Sequence, residues 1–207
     1  MAVDLRELYR RNKEPVAYLD ESYELHDRET FYILSCALVY PEDIADTRQS
    51  LKHFYGGAAM HASVMWRNRE VTSLSAGIKL AATQHDGADI VVCAPVARDD
   101  LDFGAAARAA CLELVVPMLQ VEEGTRLFVL DRLDTPTAER RDQDTFSDLR
   151  RAGRLERSTT AVHLRPSEEP ILGLPDLLAW AFRQEHTQRS ASWFDLFRAH
   201  TRVHHLP

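Results

Sequence analysis

The sequence has no apolar run approaching the ~20 residues that a membrane-spanning helix needs. Its opening segment, MAVDLRELYRRNKEP, is charged and has no apolar stretch of the kind that a secretory signal carries. We therefore expect a cytoplasmic location and no contact with a membrane. Cysteine is also scarce. Cys36, Cys93 and Cys111 lie far apart in apolar surroundings and match no zinc spacing, so we interpret them as small buried side chains.

Several nucleotide and hydrolase signatures are missing as well. Gly56-Gly57 is not followed by the lysine of a P-loop, and no G-x-G-x-x-G follows a predicted strand. Ser22 has no G-x-S-x-G context for a nucleophile. The formal net charge of -7 counts against a broad basic surface that binds nucleic acid tightly. It is compatible with a nuclease, because carboxylates that hold a divalent metal contribute negative charge.

The bulk composition is that of an ordinary globular protein. The chain has 207 residues, of which 45% are hydrophobic and 28% charged, enough for one sizeable core. We predict an N-terminal arm over 1–13, either a loose segment or a short helix at RELYRR, and a single domain over 14–207.

Five segments have the pattern of β-strands. PVAYLDES ends in acids, and TFYILSCALVY follows it closely enough to pair back as a hairpin. ADIVVCAPVA and TRLFVLDR are continuous apolar runs, typical of strands covered on both faces, and TAVHLRPS is predicted as an edge strand. AAMHASVMW is ambiguous between a short strand and a turn.

Helical spacing predicts the remaining elements. Pro41 opens a helix that runs to Phe54-Tyr55. We expect a long helix to begin near Asp99, Asp100 or Asp102 and to end at Gly124, with a kink or irregular turn at Pro117. The other predicted helices are 66–85, an exposed one at 136–152, LPDLLAWAFRQEH and SASWFDLFRAHTRVHH. Together these patterns predict an α/β fold, a mixed sheet with helices on both faces.

Three acidic features occur at comparable structural places. Asp20-Glu21 closes the first predicted strand, Asp131 closes a later one, and Asp176 lies at the start of an apolar helix. Each alone has an ordinary structural explanation: a turn at Asp20, an arginine partner for Asp131, a helix dipole for Asp176. Carboxylates at strand ends, however, meet at one edge of a sheet and provide the oxygen ligands that Mg²⁺ or Mn²⁺ prefers. The set therefore favours a divalent metal site.

Three other features have structural and functional interpretations. His200 and His204 have the i,i+4 spacing of a shared helical metal site, but solvated histidines are the better interpretation. The aromatic face of Trp193, Phe194 and Phe197 fits core packing better than a protein interface. The arginines between 140 and 157 fit an exposed, salt-bridged helix better than a phosphate-binding surface beside Asp131.

The motif order resembles that of an uncharacterised bacterial family, domain of unknown function 3800. YLDES, the histidine of MHAS, FVLDR and GLPDLLAWAF stand where that family has an LDESG-type strand, an E-x-H motif, a strand aspartate and a QLADL-type helix. The resemblance covers residues 16–185. It implies a ribonuclease H-like fold, whose enzymes hydrolyse phosphodiesters of DNA or RNA with two metals held by carboxylates.

By position, the resemblance makes Asp20 the bridging metal ligand, with Asp131 and Asp176 completing the metal shells. His61 would contact a substrate phosphate or transfer a proton. Glu21 is either a ligand or an outward-facing residue, since adjacent strand residues point to opposite faces.

The chain also departs from the family pattern. Tyr23, Gly173 and Pro175 replace a glycine, a glutamine and an alanine, and Ala59 stands where the family has the acid two residues before His61. Glu70 or Glu21 could compensate. Two functions therefore stay open: a metal-dependent nuclease, or a catalytically degenerate module that binds a protein partner.

Overall fold

The computed structural model describes residues 5–24, 30–55, 61–93, 96, 104–133, 135–187, 189–190 and 192–206. Six β-strands form within these residues: β1 (Val16–Glu24), β2 (Phe31–Val39), β3 (Gly87–Cys93), β4 (Leu127–Asp131), β5 (Thr160–Leu164) and β6 (Thr201–Leu206). They also form seven α-helices: α1 (Leu5–Arg11), α2 (Ile44–Tyr55), α3 (Ala62–Arg67), α4 (Val71–Ala81), α5 (Ala105–Glu123), α6 (Pro136–Arg151) and α7 (Gly173–His186).

The strands form one mixed sheet in the order β5-β4-β1-β2-β3-β6. The central strands β1, β2 and β3 are antiparallel neighbours. Strand β4 lies parallel to β1, β5 parallel to β4, and β6 parallel to β3. The predicted hairpin of the first two strands and the predicted edge position of β5 are confirmed.

Helices cover both faces of the sheet, as the sequence predicts. On one face, side chains of β1 and β2 pack with α2, α4 and α7; Tyr18, Leu51, Ile78 and Leu177 are buried there. On the other face, α5 and α6 pack with side chains such as Leu19 of β1. Burial of each large apolar side chain contributes about 1.5–3 kcal/mol, so the two cores hold the sheet rigidly between them.

Helix α5 ends as predicted, at Gly124, which has a positive φ of 72° that favours glycine. The helix continues through Pro117, so the alternative of an irregular turn there is wrong. Gly104 precedes the helix with a φ of 78°, and a Cβ at that position would lie 2.8 Å from the Tyr32 ring. The acids predicted near the helix start, 99, 100 and 102, lie outside the described residues.

Three predicted elements differ in the structure. The predicted single helix over 66–85 is divided, because α3 ends at Arg67 and α4 covers only Val71–Ala81. Residues 62–66 of AAMHASVMW belong to α3 and are helical rather than a strand or turn. The predicted last helix is instead two short 3₁₀ turns (Phe194–Leu196 and Arg198–His200) followed by β6. The β-branched residues Thr201 and Val203 suit a strand, and the open edge of β3 supplies backbone hydrogen-bonding partners that local helical spacing does not reveal.

The predicted exposed helix over 136–152 is only partly exposed. It is α6, and one face of it buries Asp142, Thr145, Phe146 and Leu149. Its Phe146 ring packs edge-on against Phe128 of β4, with ring centroids 5.8 Å apart. Arg151 forms an exposed ion pair with Asp148 on the other face, as the salt-bridge interpretation predicts.

A buried carboxylate attaches α1 to the domain. Glu169 is almost fully buried, and its Oε2 accepts hydrogen bonds from the Tyr9 hydroxyl at 2.7 Å and from Arg48 Nη2 at 2.6 Å. Arg48 Nε donates to the other carboxylate oxygen at 3.0 Å. Residues 5–11 are thus a short helix that is bound to α2 and to the segment before α7.

We expect Glu169→Ala to destabilise the protein by about 2–3 kcal/mol, because it leaves Arg48 partly buried without its partner. Urea denaturation measures the loss, and limited proteolysis should then cleave the first thirteen residues faster. Glu168→Ala removes the neighbouring exposed carboxylate, which pairs with Arg132 at 3.2 Å, and should cost less than about 1 kcal/mol. Equal losses for the two variants would contradict this role of Glu169.

Candidate active site

Asp20 lies inside β1 and does not close it as predicted. The strand continues to Glu24 because its polar residues pair with the apolar β2, from Asp20 opposite Ser35 to Glu24 opposite Phe31. Asp20 points to the same face of the sheet as Tyr18, and only 6% of its surface is exposed. A carboxylate therefore lies in the interior, on the central strand of the sheet.

Asp131 is the neighbour of Asp20 on the adjacent strand. Leu19 of β1 is aligned with Leu130 of β4 in the parallel register, so the next residues, Asp20 and Asp131, come side by side at the carboxyl end of β4. Asp131 is the last residue of β4, as the sequence predicts. Strand alternation places it on the same face as Val129, which belongs to the core beneath α7.

Asp176 comes to the same place from α7. It lies in the first turn of the helix, which packs across β1 and β2. The buried Ser35 hydroxyl lies 2.8 Å from the Pro175 carbonyl oxygen and 3.0 Å from the Asp20 carbonyl oxygen. Ser35 thereby connects the helix start to the strand residue that the sequence marked as the first ligand.

The charges of neighbouring carboxylates act on the ionisation of Asp20 and Asp131. Burial, followed by the charges of Asp176, Glu21 and Asp131, raises the pKa of Asp20 well above its ordinary value. Burial and the charge of Glu21 raise the pKa of Asp131 to about 6, and Asp176 adds to the rise. Carboxylates held this close in the interior repel each other when they are ionised, which raises their pKa values. A bound cation would neutralise this repulsion and favour the ionised forms.

Each carboxylate has one oxygen fixed by a backbone amide. The N–H of Glu21 donates to Asp20 Oδ1 at 2.7 Å, that of Arg132 to Asp131 Oδ1 at 2.9 Å, and that of Ala62 to Asp176 Oδ2 at 2.7 Å. Among the described residues, nothing donates a hydrogen bond to the second oxygen of Asp20 or Asp131. These two oxygens are available to a ligand.

The acids are close, but they do not form a ready-made metal cage. In the part of the chain that the structure describes, no group of three or more histidine, cysteine, aspartate or glutamate side chains has the arrangement of a metal-binding cluster. The chemistry of the donors nevertheless fits a hard divalent cation, which takes carboxylate oxygens and completes its shell with water or phosphate. Asp20 and Asp131 would hold such an ion through their free oxygens, and Asp176 lies beside them.

His61 lies at the rim of the site, immediately before α3. Its Nδ1 is 3.9 Å from Asp176 Oδ1, and its side chain is 41% exposed. The interaction with Asp176 raises the pKa of His61 above its ordinary value, because the carboxylate stabilises the protonated form of the ring. A histidine in this position can donate a proton or a hydrogen bond to an anion bound at the carboxylates.

Glu21 points away from the three aspartates, toward the face covered by α5. It pairs there with Arg108 of α5, whose guanidinium also donates to Asp142 of α6 and to the Tyr32 hydroxyl. Asp142 Oδ2 in turn lies 2.9 Å from Nε2 of His163 on β5. Glu21 therefore belongs to an ion-pair network on the face of the sheet opposite the three aspartates.

The charges of this network shift the pKa values of Asp142 and Tyr32 in opposite directions. Burial alone raises the pKa of Asp142, but His163 and Arg108 together hold it below its ordinary value. Burial and the charge of Glu21 raise the pKa of Tyr32 well above its ordinary value, so its hydroxyl stays protonated. Asp142 is the fixed anion of the network, and Arg108 is the cation that joins it to β1.

The sequence did not reveal Ser35, Arg108, Asp142 or His163 as members of the site and its support. One signal was present, because Arg108 interrupts the apolar run AAARAACLELVV, and a buried arginine needs carboxylate partners. Ser35 gives no such signal, since a lone serine in an apolar strand has many structural explanations. Ala59, which stands where the family that the sequence resembles has an acid, lies outside the described residues.

The other candidates for a site have structural roles. His204 lies on a strand, where its Nε2 is 2.9 Å from Asp89 Oδ1, so the helical i,i+4 metal pair with His200 is wrong. Phe194 and Phe197 are buried in the core, which removes most of the aromatic face considered for a protein partner. Glu70 lies before α4, within hydrogen-bonding distance of the exposed Asn68.

No protein-family model matches the chain, and no curated protein matches it in sequence. Among the described residues, no helix has the length and apolar character to cross a membrane.

Proposed function

We propose that this protein is a ribonuclease H-like member of the domain of unknown function 3800 family and hydrolyses phosphodiester bonds of DNA or RNA with a bound Mg²⁺ or Mn²⁺. The observation that carries the proposal is the convergence of Asp20, Asp131 and Asp176 on one face of the sheet, close enough to raise the pKa of Asp20 and of Asp131. The motif order of the sequence and the mixed sheet with a central hairpin support it.

The residues have distinct roles in this proposal. Asp20 and Asp131 hold the metal through their free oxygens, with Asp176 beside them. When bound there, the metal would supply charge neutralisation at the scissile phosphate and would lower the pKa of an attacking water. His61, whose protonated form Asp176 stabilises, donates a hydrogen bond to a phosphate oxygen or a proton to the leaving oxygen. Glu21 keeps its pairing with Arg108, and so we assign it no ligand role.

A second candidate is a catalytically degenerate module of the same fold that acts through a protein partner. The observation in its favour is the lack of a ready-made metal-binding cluster among the described residues, together with Ala59 in place of an acid. Calorimetry with Mn²⁺ separates the two candidates. The nuclease requires a binding heat that Asp131→Asn reduces, whereas the module gives no heat with either protein.

The direct test is hydrolysis by the purified protein. We expect cleavage of single-stranded or double-stranded DNA or RNA with Mn²⁺, no cleavage in EDTA, and a loss of at least about a hundredfold in rate with Asp20→Asn. Asp46→Asn is the matched control, because it neutralises an exposed aspartate on α2 and should keep full activity. If no substrate is cleaved, or if Asp20→Asn cleaves as fast as the wild type, the nuclease proposal fails.

A further inference from the structure

Helix α3, beside the carboxylates, presents an exposed tryptophan to solvent. Trp66 is 45% exposed, although tryptophan is usually well buried in a folded domain. One side of its ring packs against Trp180 of α7, with ring centroids 5.5 Å apart, and Trp180 packs in turn against Trp193 at 5.7 Å. The indole of Trp66 is therefore supported from below while much of its surface stays accessible.

The support for Trp66 also fixes its distance from the proposed metal ligands. Trp180 follows Asp176 by four residues in α7, so the two side chains lie on the same helix face about 6 Å apart along the axis. The start of α3 is held at the same place by the hydrogen bond from the Ala62 N–H to Asp176. Trp66 follows Ala62 by four residues in α3 and packs on Trp180, so the exposed aromatic surface lies beside the Asp176 end of the carboxylate site.

Two arginines extend this surface. Arg67 and Arg69 are both exposed, and within the described residues neither guanidinium forms an ion pair with a carboxylate. Arg67 Nε reaches only the Ser63 carbonyl oxygen, at 3.3 Å. These arginines are the positive charges of α3 and the turn after it, in a protein whose net charge is negative.

Arg69 occupies an unusual backbone position. Its φ is 61°, in the left-handed region, at the end of a helix where glycine or asparagine is favoured. The Glu70 N–H donates to the Met65 carbonyl oxygen at 2.9 Å and closes this turn. An arginine is accommodated here at a cost in backbone energy that a glycine would avoid.

We propose that α3 and the turn after it, through Trp66, Arg67 and Arg69, form a platform that binds a single strand of nucleic acid and leads it to the carboxylates. Trp66 stacks on an unpaired base, and the two arginines contact the flanking phosphates. A base stacked inside a duplex cannot lie on the indole, so the platform selects single strands. The inference rests on the proposed nuclease function and adds its substrate class.

The test measures binding separately from cleavage. In the Asp20→Asn background with Mn²⁺, we follow the fluorescence anisotropy of labelled single-stranded DNA and RNA and of the matching duplex. We expect tighter binding of the single strands, and about tenfold weaker binding of them after Trp66→Ala. Trp66→Tyr keeps a stacking ring and should stay within about threefold of the parent.

Two further variants make the test specific. Tyr40→Ala removes another exposed aromatic ring, which lies just after β2, about 17 Å from Ser35 along the chain direction, and should leave binding unchanged. Arg69→Gly should raise the thermal midpoint by about 2–4 °C and yet weaken strand binding, with a salt slope smaller by about 0.7. A purely structural role for Arg69 does not combine a gain in stability with a loss of binding.

The outcomes separate this inference from the nuclease proposal. If single-strand binding depends on Trp66 but the wild-type protein cleaves no nucleic acid, the platform is supported and only the nuclease proposal is overturned. If cleavage depends on Asp20 but Trp66→Ala leaves the affinity for single strands unchanged, only the platform is overturned. The same holds if Tyr40→Ala reduces that affinity as much as Trp66→Ala does. A change in molecular mass on light scattering after Trp66→Ala, without any change in strand binding, shows a protein-facing surface and also overturns it.

Discussion

Replacing Asp20 with asparagine is expected to make the metal-free protein more stable at pH 7.5, by about 2 kcal/mol or about 4–8 °C in thermal midpoint. The reason is that Asp20 is a buried carboxylate whose neighbours, Asp131 and Asp176, are of the same charge. Asparagine keeps an oxygen that can accept the hydrogen bond from the Glu21 N–H, and it carries no charge. Calorimetric melting in EDTA measures the gain.

The stability of the metal-free wild-type protein should fall as the pH rises and the buried carboxylates ionise. The pKa of Asp131 is raised from its ordinary 3.8 to about 6, so the folded protein binds this proton more tightly than the unfolded chain. The resulting stabilisation is fully present below pH 4 and is lost as the pH rises through 6. Because Asp131 is partly exposed, we expect about 1 kcal/mol from this residue. Asp131→Asn should flatten this part of the stability profile, and Asp46→Asn should not.

Metal binding should reverse the order of stability. With Mn²⁺ at about a hundredfold above its dissociation constant, the wild type should gain about 2.7 kcal/mol, or about 5–10 °C. The Asp20→Asn protein should gain little, since the oxygen that would bind the ion has lost its charge. If Mn²⁺ stabilises both proteins equally, Asp20 is not a ligand. If Asp20→Asn also destabilises the metal-free protein, the charge repulsion inferred for the site is wrong.

Arg108→Met is expected to be the most destabilising of the substitutions considered, at about 3–5 kcal/mol. Arg108 is buried and is the cation that compensates Glu21 and Asp142 within the protein. Methionine fills similar space but leaves both carboxylates without this partner. Urea denaturation at pH 7.5 measures the loss.

Arg126→Met provides the matched comparison. Arg126 also pairs with a carboxylate, Glu156, at 3.0 Å, but both side chains are about half exposed, so the change should cost under about 1 kcal/mol. Arg108→Lys should recover only part of the stability, because an ammonium cannot make the two parallel hydrogen bonds that Arg108 Nε and Nη2 donate to the two carboxylate oxygens of Asp142. Equal costs for Arg108→Met and Arg126→Met would show that the network contributes no more than an exposed ion pair.

The sequence predicted well those features whose causes are local. The hairpin follows from two adjacent apolar runs, and Asp131 and Asp176 are marked by an acid at the end of one apolar run and at the start of another. The position of Asp20 inside β1 was missed, because the polar residues after it resemble a turn until their pairing with β2 is known. The hairpin itself extends the strand.

Features that depend on distant partners were the ones missed. Arg108, Asp142 and Glu21 come from two helices and a strand, and nothing in the spacing of the chain indicates that they meet. The same reason explains β6: His200 and His204 have helical spacing, yet Thr201–Leu206 becomes a strand because β3 has an open edge. Local spacing cannot show which edge is available.

The pairing of β6 with β3 has a consequence for solubility. Strand β3 is almost wholly apolar, and without β6 its backbone N–H and C=O groups would form an unpaired edge that other chains could join. Strand β6 covers that edge and places Arg202, His204 and His205 at the new border of the sheet, where charged and polar side chains discourage further pairing. Asp89 of β3, paired with Arg202, fixes the cover in place. Strand β6 therefore protects the edge of the sheet from pairing with strands of other chains. This role is independent of the carboxylate site.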